Sequence, residues 1–225
     1  MLSAPSLVVA LARPRDGAGL ALVRAAFGLV MATAMLRFLA KGWVDFFYHR
    51  PDYHFAYHGF AWVAPLPGLA MEALVIATGL AAVLMALGAW TRRSAAAFTL
   101  GFTWIELCDV STYLNHYYLV SVLGLLFVLV PAGADWSIDA WLRCRRGLPA
   151  VTVREGHYAA LRIQLTIVYV MAALAKIQED WLVEGLPLRL WLARHAEVPL
   201  IGPLLANTSA AIAASWIGLV YDLSI

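Results

Sequence analysis

The chain has 225 residues, of which 63% are hydrophobic and only 13% charged, with a formal net charge of +2. A mean hydropathy of +0.77 excludes an ordinary soluble domain and a disordered chain, and identifies an integral membrane protein. No lysine- or arginine-rich block is present, so the clustered cations on which nucleic-acid binding depends are missing.

Residues 1–18 read as a short lead-in. Its SLVVALA run has the apolarity of a signal segment but lacks a charged start and runs directly into Arg13 and Arg15, so it is read as retained. Residues 19–40 are long enough to span a bilayer despite Arg24 and Arg37, and form the first predicted span. Residues 41–67, crowded with tyrosine, phenylalanine, tryptophan and histidine, are too polar to span and read as an interfacial aromatic cap. The second span is 68–90, followed by a basic turn at Thr91, Arg92, Arg93 and Ser94, and the third is 95–110. A turn through STYLNH leads into the fourth span, 117–130, and residues 131–157 form the longest basic loop. The fifth span starts near Ala159 and ends at Lys176, roughly 27 Å from Tyr158 at about 1.5 Å per helical residue, close to the hydrocarbon thickness. Residues 186–205, bounded by Pro187, Pro199 and Pro203, hold a candidate short interfacial helix, LRLWLARH, and 206–225 form a sixth apolar run. The expected fold is an all-α polytopic bundle of about six transmembrane helices in one domain over 1–225.

Loop charge sets the expected orientation. Arg13, Arg15, Arg92, Arg93, Arg143, Arg145, Arg146 and Arg154 fall on one side, against Lys41, Arg50, Arg189 and Arg194 on the other. The arginine-rich side is read as the cytoplasm, with the N-terminus there and a bacterial inner membrane as the setting. The aromatic cap, the 109–116 turn, Lys176 and the stretch after it then share the outer face.

Lys176 is the leading chemical candidate. At a helix end it either snorkels to the headgroups or, facing the bundle, acts as a proton acceptor. Asp180 lies four residues on and would share its helix face if the helix continues, holding or tuning the ammonium. Glu179, Trp181 and Glu184 complete a polar, aromatic mouth, although Trp181 also suits an aromatic belt. Asp109, Asn115 and His116 at a span end fit a capped helix terminus or a site. Glu106, three residues before Asp109 on one helix face and about a turn deeper, calls for a cation such as Arg37 or Lys176. Arg24 and Arg162 are expected to tie helices together, and Gln164 to bond between helices. His54 and His58 have metal-ligand spacing without a helix around them, so no metal is expected. No phosphate loop, Ser-His-Asp pattern or CxxC pair is evident.

Two motifs carry a resemblance. LCDVSTYLNHYYL, residues 107–119, and RIQLTIVYVMAALAKIQEDWLVEG, residues 162–185, resemble the membrane domain of the vitamin K-dependent γ-glutamyl carboxylases and their bacterial relatives, the horizontally transferred transmembrane domain proteins. Weaker likeness runs from Arg24 through Gly42 and Trp43, FAWVAPLP, and Arg194 with His195. The resemblance implies a helical bundle with a quinone cavity open to the outer face. It implies that Lys176 is the base that deprotonates reduced vitamin K or another quinone. Oxygen then turns the hydroquinone into a strong base that takes a glutamate γ-proton, and carbon dioxide traps the carbanion. Asn115 and His116 would be catalytic beside Lys176, with Asp109, Asp180, Trp181, Glu184, Arg194 and His195 tuning the site or binding substrate. The segment Trp181-Leu182-Val183-Glu184-Gly185 is one residue longer than the family's usual Trp-x-Glu-Gly, and the β-rich lumenal domain of the carboxylases has no counterpart in 1–225. A second membrane chain completing the bundle, near Asp222, is therefore an expected partner beside the lipid bilayer. The competing expectation is a noncatalytic subunit that packs against a larger membrane complex.

Overall fold

The computed structural model describes residues 4–199, 201–205 and 207–224. It is built of helices, with one two-residue ladder: α1 (Ala4–Leu11), β1 (Pro14–Arg15), α2 (Ala18–Ala40), α3 (Ala70–Leu87), α4 (Thr91–Leu107), α5 (Asn115–Leu129), α6 (Ile138–Arg145), β2 (Val153–Arg154), α7 (Glu155–Ala175), α8 (Glu179–Leu182), α9 (Leu186–Ala193), α10 (Gly202–Leu205) and α11 (Thr208–Ser224). A π-helical turn at Asp45–His49 and a 3-10 turn at Val110–Thr112 sit in the connections. The chain divides into two compact units, 1–161 and 162–225, with α7 beginning in the first and continuing into the second. The fold class is the all-α membrane bundle expected. Among the described residues, α2, α3 and α7 are long and apolar enough to cross a bilayer, while α5 is a shorter apolar helix. Helices α4 and α11, at 17 residues each, occupy two further predicted spans.

The first unit is an up-and-down bundle in which α2 packs on α3, α3 on α4 and α4 on α5. Small residues set the crossings, as expected where lipid tails give no hydrophobic advantage and close backbone approach supplies the attraction. A Cβ on Gly28 of α2 would lie 2.7 Å from the Ala82 carbonyl oxygen of α3, and one on Gly101 of α4 would lie 2.2 Å from the Thr78 hydroxyl of α3. Two residues before Gly101, Thr99 of α4 is faced by Gly124 of α5 in the same way. Phe27, Phe98 and Phe127 fill the layer between, with Phe27 edge-on to Phe98 at 5.7 Å and 5.4 Å from Phe127.

Arg24 closes the arginine-rich end of this bundle. Its side chain is buried at 1% exposure, a costly location for a charge, which both terminal nitrogens offset with hydrogen bonds while Nε has no partner among the described residues. Nη1 donates to the Ala132 carbonyl at 3.1 Å, and Nη2 donates to the carbonyls of Ala86 at 3.3 Å and Trp136 at 2.9 Å. The expectation that Arg24 ties helices together is met through backbone oxygens of α3 and the loop before α6. Asp139 secures the same region by accepting from the Trp90 and Thr91 amides and the Thr91 hydroxyl at 2.7–2.8 Å, capping α4. These bonds hold Trp90 and Trp136 at φ +45° and +42°, a region that L residues adopt only under constraint. The loop read as merely basic thus contains α6, capped by Ser137 accepting from the Ala140 amide, and β2, which pairs antiparallel with β1.

The second unit has its own small core on α11, where Ala211, Ser215, Leu219 and Asp222 form a buried stripe. Two tryptophans staple α8 to α11 reciprocally: Trp181 Nε1 donates to the Ser215 carbonyl at 3.2 Å, and Trp216 Nε1 donates to the Leu182 carbonyl at 3.0 Å. Gly185 precedes α9 at φ +58°, and a Cβ there would approach the Ile212 amide nitrogen at 3.0 Å, so this position demands glycine.

Arg24→Ala orphans three carbonyls in a low-dielectric site, and the bundle is expected to lose about 3 kcal/mol. A fall in the thermal midpoint of the purified protein in mild detergent checks this, with Arg162→Ala as comparison. Gly88→Ala places a Cβ at φ +67° and 2.3 Å from Arg24 Nη1, and should lower the midpoint in the same direction.

Candidate functional site

At the end of the first unit opposite Arg24, the bundle opens into a cavity of about 650 Å³. Its walls come from the second half of α2, from Trp43 to Tyr48, from the end of α4 and from the start of α5. The lining is mostly apolar and aromatic, with Arg37, Glu106, Ser111, Thr112, His116 and Tyr117 among its polar members, the composition typical of small-molecule sites. At this level Phe38 meets the rings of Trp43, Phe47 and Tyr48 at 5.5–6.2 Å in edge-on, stacked and tilted arrangements, and these bulky rings frame the cavity. Arg37 and Lys41 each lie 5.2 Å from the Trp43 ring, a cation–π pair of contacts that holds two cations at the rim.

Helix α4 ends at Leu107, so Asp109 leaves the face that it was expected to share with Glu106. Asp109 instead adopts an extended conformation and caps the 3-10 turn, accepting from the Ser111 amide at 2.8 Å and from His54 Nδ1 at 3.0 Å. The Val110 amide donates to the Phe55 carbonyl at 2.8 Å, and Tyr57 meets Tyr113 edge-on at 6.5 Å. The aromatic cap and the 109–116 turn therefore meet, as their common sidedness required. His54 is engaged by a carboxylate, and His58 is exposed. Glu106 is corrected as well: its Oε2 accepts from the Ser121 hydroxyl at 2.8 Å, and Ser121 accepts in turn from Thr103 at 3.2 Å. A neighbouring hydroxyl on α5 meets the need that a cation was expected to meet.

Asn115 and His116 are the first two residues of α5, after Leu114, which supplies no side-chain cap. The terminal amides of a 15-residue helix thus lie beside the cavity, with the positive end of its dipole. His116 lines the cavity and packs edge-on against Tyr117 at 4.8 Å. Asn115 is exposed at the same terminus.

In the second unit, α7 stops at Ala175. The Lys176 amide turns back to the Ala173 carbonyl at 3.0 Å, and Gln178 is extended at φ −150°. Asp180 consequently does not share a helix face with Lys176. The ammonium instead donates to Asp222 Oδ2 on α11, with the lysine side chain 22% exposed and the aspartate 8%. Lys176 Nζ also lies 5.3 Å from the Trp181 ring, so Trp181 contacts the lysine while stapling α8 to α11. Asp180 and Glu184 are exposed, as are Arg194 and His195 after α9; His195 Nδ1 lies 3.1 Å from the Trp191 carbonyl. The sequence did carry a signal for Asp222, an acid in register with Ser215 and Ala211 on an otherwise apolar helix, which requires a cation. Tyr117 and Trp43 lie within stretches that carry the family resemblance but are not singled out by it as site residues.

Burial of Asp109 opposes its ionisation, but donors at Ser111, His54 and the Phe55 amide outweigh it and hold the carboxyl below the ordinary carboxylate range. A depressed carboxyl contributes stability that is present above the unfolded value of about 4 and is lost as pH falls through the folded value. Asp109→Asn should therefore cost about 1–2 kcal/mol at neutral pH. The gap in thermal midpoint between the variant and the native chain should close as pH falls below about 4.

No solved structure matches the chain. A family model described as the HTTM domain matches residues 12–225, which takes in the cavity, the Asn115-His116 terminus and the Lys176-Asp222 pair. The protein belongs to the HTTM-domain family, whose domain is the one found in the vitamin K-dependent γ-glutamyl carboxylases.

Proposed function

We propose that the protein is a carboxylase-like membrane enzyme whose first unit holds a reduced quinone in its cavity and whose second unit carries a candidate base, Lys176. The observation that carries the reading is the cavity itself. Its volume of about 650 Å³ and its apolar, aromatic walls suit a flat fused ring, and Arg37, Glu106, His116 and Tyr117 offer polar contacts for the ring oxygens. A bound quinol would supply the redox chemistry with oxygen that generates a strong base.

The chain's own groups supply orientation and proton handling. His116, at the positive end of α5, is placed to hydrogen-bond a ring oxygen and to favour negative charge on it. Trp43, braced by Arg37 and Lys41, offers a flat face for stacking. Lys176 Nζ is the candidate proton acceptor, positioned by Asp222 Oδ2 on α11, and it can accept a proton only as the free amine. Trp181 limits water around this pair from one side. The setting we propose is a bacterial inner membrane, with this chemistry at the outer face and the N-terminus in the cytoplasm.

One observation favours the second reading, a noncatalytic membrane subunit. An ion pair between Lys176 and Asp222 can simply join the end of α7 to α11. The two readings separate experimentally. The purified protein, given reduced vitamin K, oxygen, labelled bicarbonate and a glutamyl peptide, should fix label into the peptide. Lys176→Ala and Asp222→Asn should each lower turnover by about 100-fold or more, and His116→Ala should weaken quinone quenching of tryptophan fluorescence. The double variant Lys176→Met with Asp222→Leu should stay folded yet remain inactive. No incorporation by the native chain, or full activity in the double variant, would overturn the enzymatic reading.

A further inference from the structure

A second pocket, of about 420 Å³, lies at the arginine-rich end of the first unit. It is framed by the start of α4 (Trp90, Thr91, Arg92, Arg93), by Pro131–Ala134, by Asp139 and Arg143 of α6, and by Val151. Three arginines thus converge from two helices that are distant in sequence. None of the three has an ion-pair partner among the described residues. A carboxylate does share the pocket, but both oxygens of Asp139 are occupied: Oδ1 accepts from the Trp90 amide, and Oδ2 from the Thr91 amide and hydroxyl. The pocket therefore carries a cationic excess with unused donors, on one side of an apolar wall formed by Pro131, Ala132 and Val151.

Its depth is marked independently. Trp90, Trp136 and Trp141 around the pocket are 64%, 71% and 55% exposed, and Arg145 lies 4.6 Å from the Trp141 ring. Large exposed indoles beside guanidinium groups are the pattern of a headgroup-level belt. Helix α6 carries Trp141 and Arg143 together, as a short interfacial helix does. A pocket at headgroup depth meets phosphate attached to glycerol and acyl chains, and guanidinium forks match phosphate oxygens in pairs.

We infer that this pocket is a binding site for the phosphate headgroup of an anionic phospholipid, held by Arg92, Arg93 and Arg143, with the glycerol and acyl chains lying along Pro131, Ala132 and Val151. It is separate from the quinone cavity, and its occupancy anchors α4 and α6 at one membrane face. The fold does not require the three arginines internally, so their replacement is expected to leave the bundle intact.

The test uses the full chain in nanodiscs of phosphatidylcholine doped with phosphatidylglycerol, followed by native mass spectrometry after delipidating washes. The native chain should retain phosphatidylglycerol over phosphatidylcholine. Each arginine changed to glutamine should weaken retention about fivefold, and Arg92→Gln, Arg93→Gln and Arg143→Gln together about 100-fold. A charge-matched control, Arg13→Gln, Arg145→Gln and Arg146→Gln, should lose far less. Equal loss in that control would mean diffuse surface attraction and would overturn the site. Equal retention of phosphatidylcholine would overturn it too. Displacement of phosphatidylglycerol by inorganic phosphate, and not by chloride at matched ionic strength, would show a free-phosphate site and overturn the lipid assignment.

Discussion

Burying a cation in an apolar bundle forces the surrounding structure to supply its partners, and each unit of this protein answers that constraint differently. Arg24 is met by three backbone carbonyls, and a guanidinium keeps its proton under all ordinary conditions. The helix ends and loop that provide those carbonyls are thereby fixed, including two tryptophans in the left-handed region. Lys176 is met by one carboxylate on a helix 46 residues away. That ion pair joins the end of α7 to α11 through two side chains, where Arg24 is held by backbone oxygens alone.

The first unit is correspondingly asymmetric along its length. Glycines at 28, 101 and 124 draw the helices together through the middle, and the polar lock around Arg24 and Asp139 closes one end. The other end has no counterpart of the Arg24 lock among the described residues. Rings too bulky to interdigitate leave a cavity there, and the start of α5 brings His116 and a helix terminus to its wall. The quinone reading rests on this arrangement, which combines an apolar slot with a few polar groups at one end. The phospholipid reading rests on the opposite end, where guanidinium groups unneeded by the lock converge at headgroup level.

Much of this was legible in the sequence because membrane constraints are severe. Apolar runs announced the helices, arginine distribution separated the two ends, and the cap of residues 41–67 met the 109–116 turn on the side that the arginines avoid. The family motifs also marked positions with physical reasons to be what they are: Gly185 for its positive φ, and Trp181 for its bond to Ser215. Pairing across the fold was less legible. Spacing suggested Asp180 for Lys176 and a cation for Glu106, but spacing speaks only while a helix continues, and α7 and α4 both end first. Asp222 and Ser121 became partners through packing between helices, which no local pattern encodes. Helix α6 was hidden for a related reason, since eight residues with two arginines read as loop until Ser137 and Asp139 are seen capping helix starts.

The central claim is that the cavity between α2, α4 and α5 receives a quinone. Photo-crosslinking with an azido-quinone analogue in nanodiscs tests it most directly. The account predicts labelling concentrated in residues 30–38 and 111–120, abolished by excess unlabelled quinone and reduced by His116→Ala. Label spread over lipid-facing residues of α3 such as Ile76, Leu80 and Val83, unaffected by competitor, would contradict it.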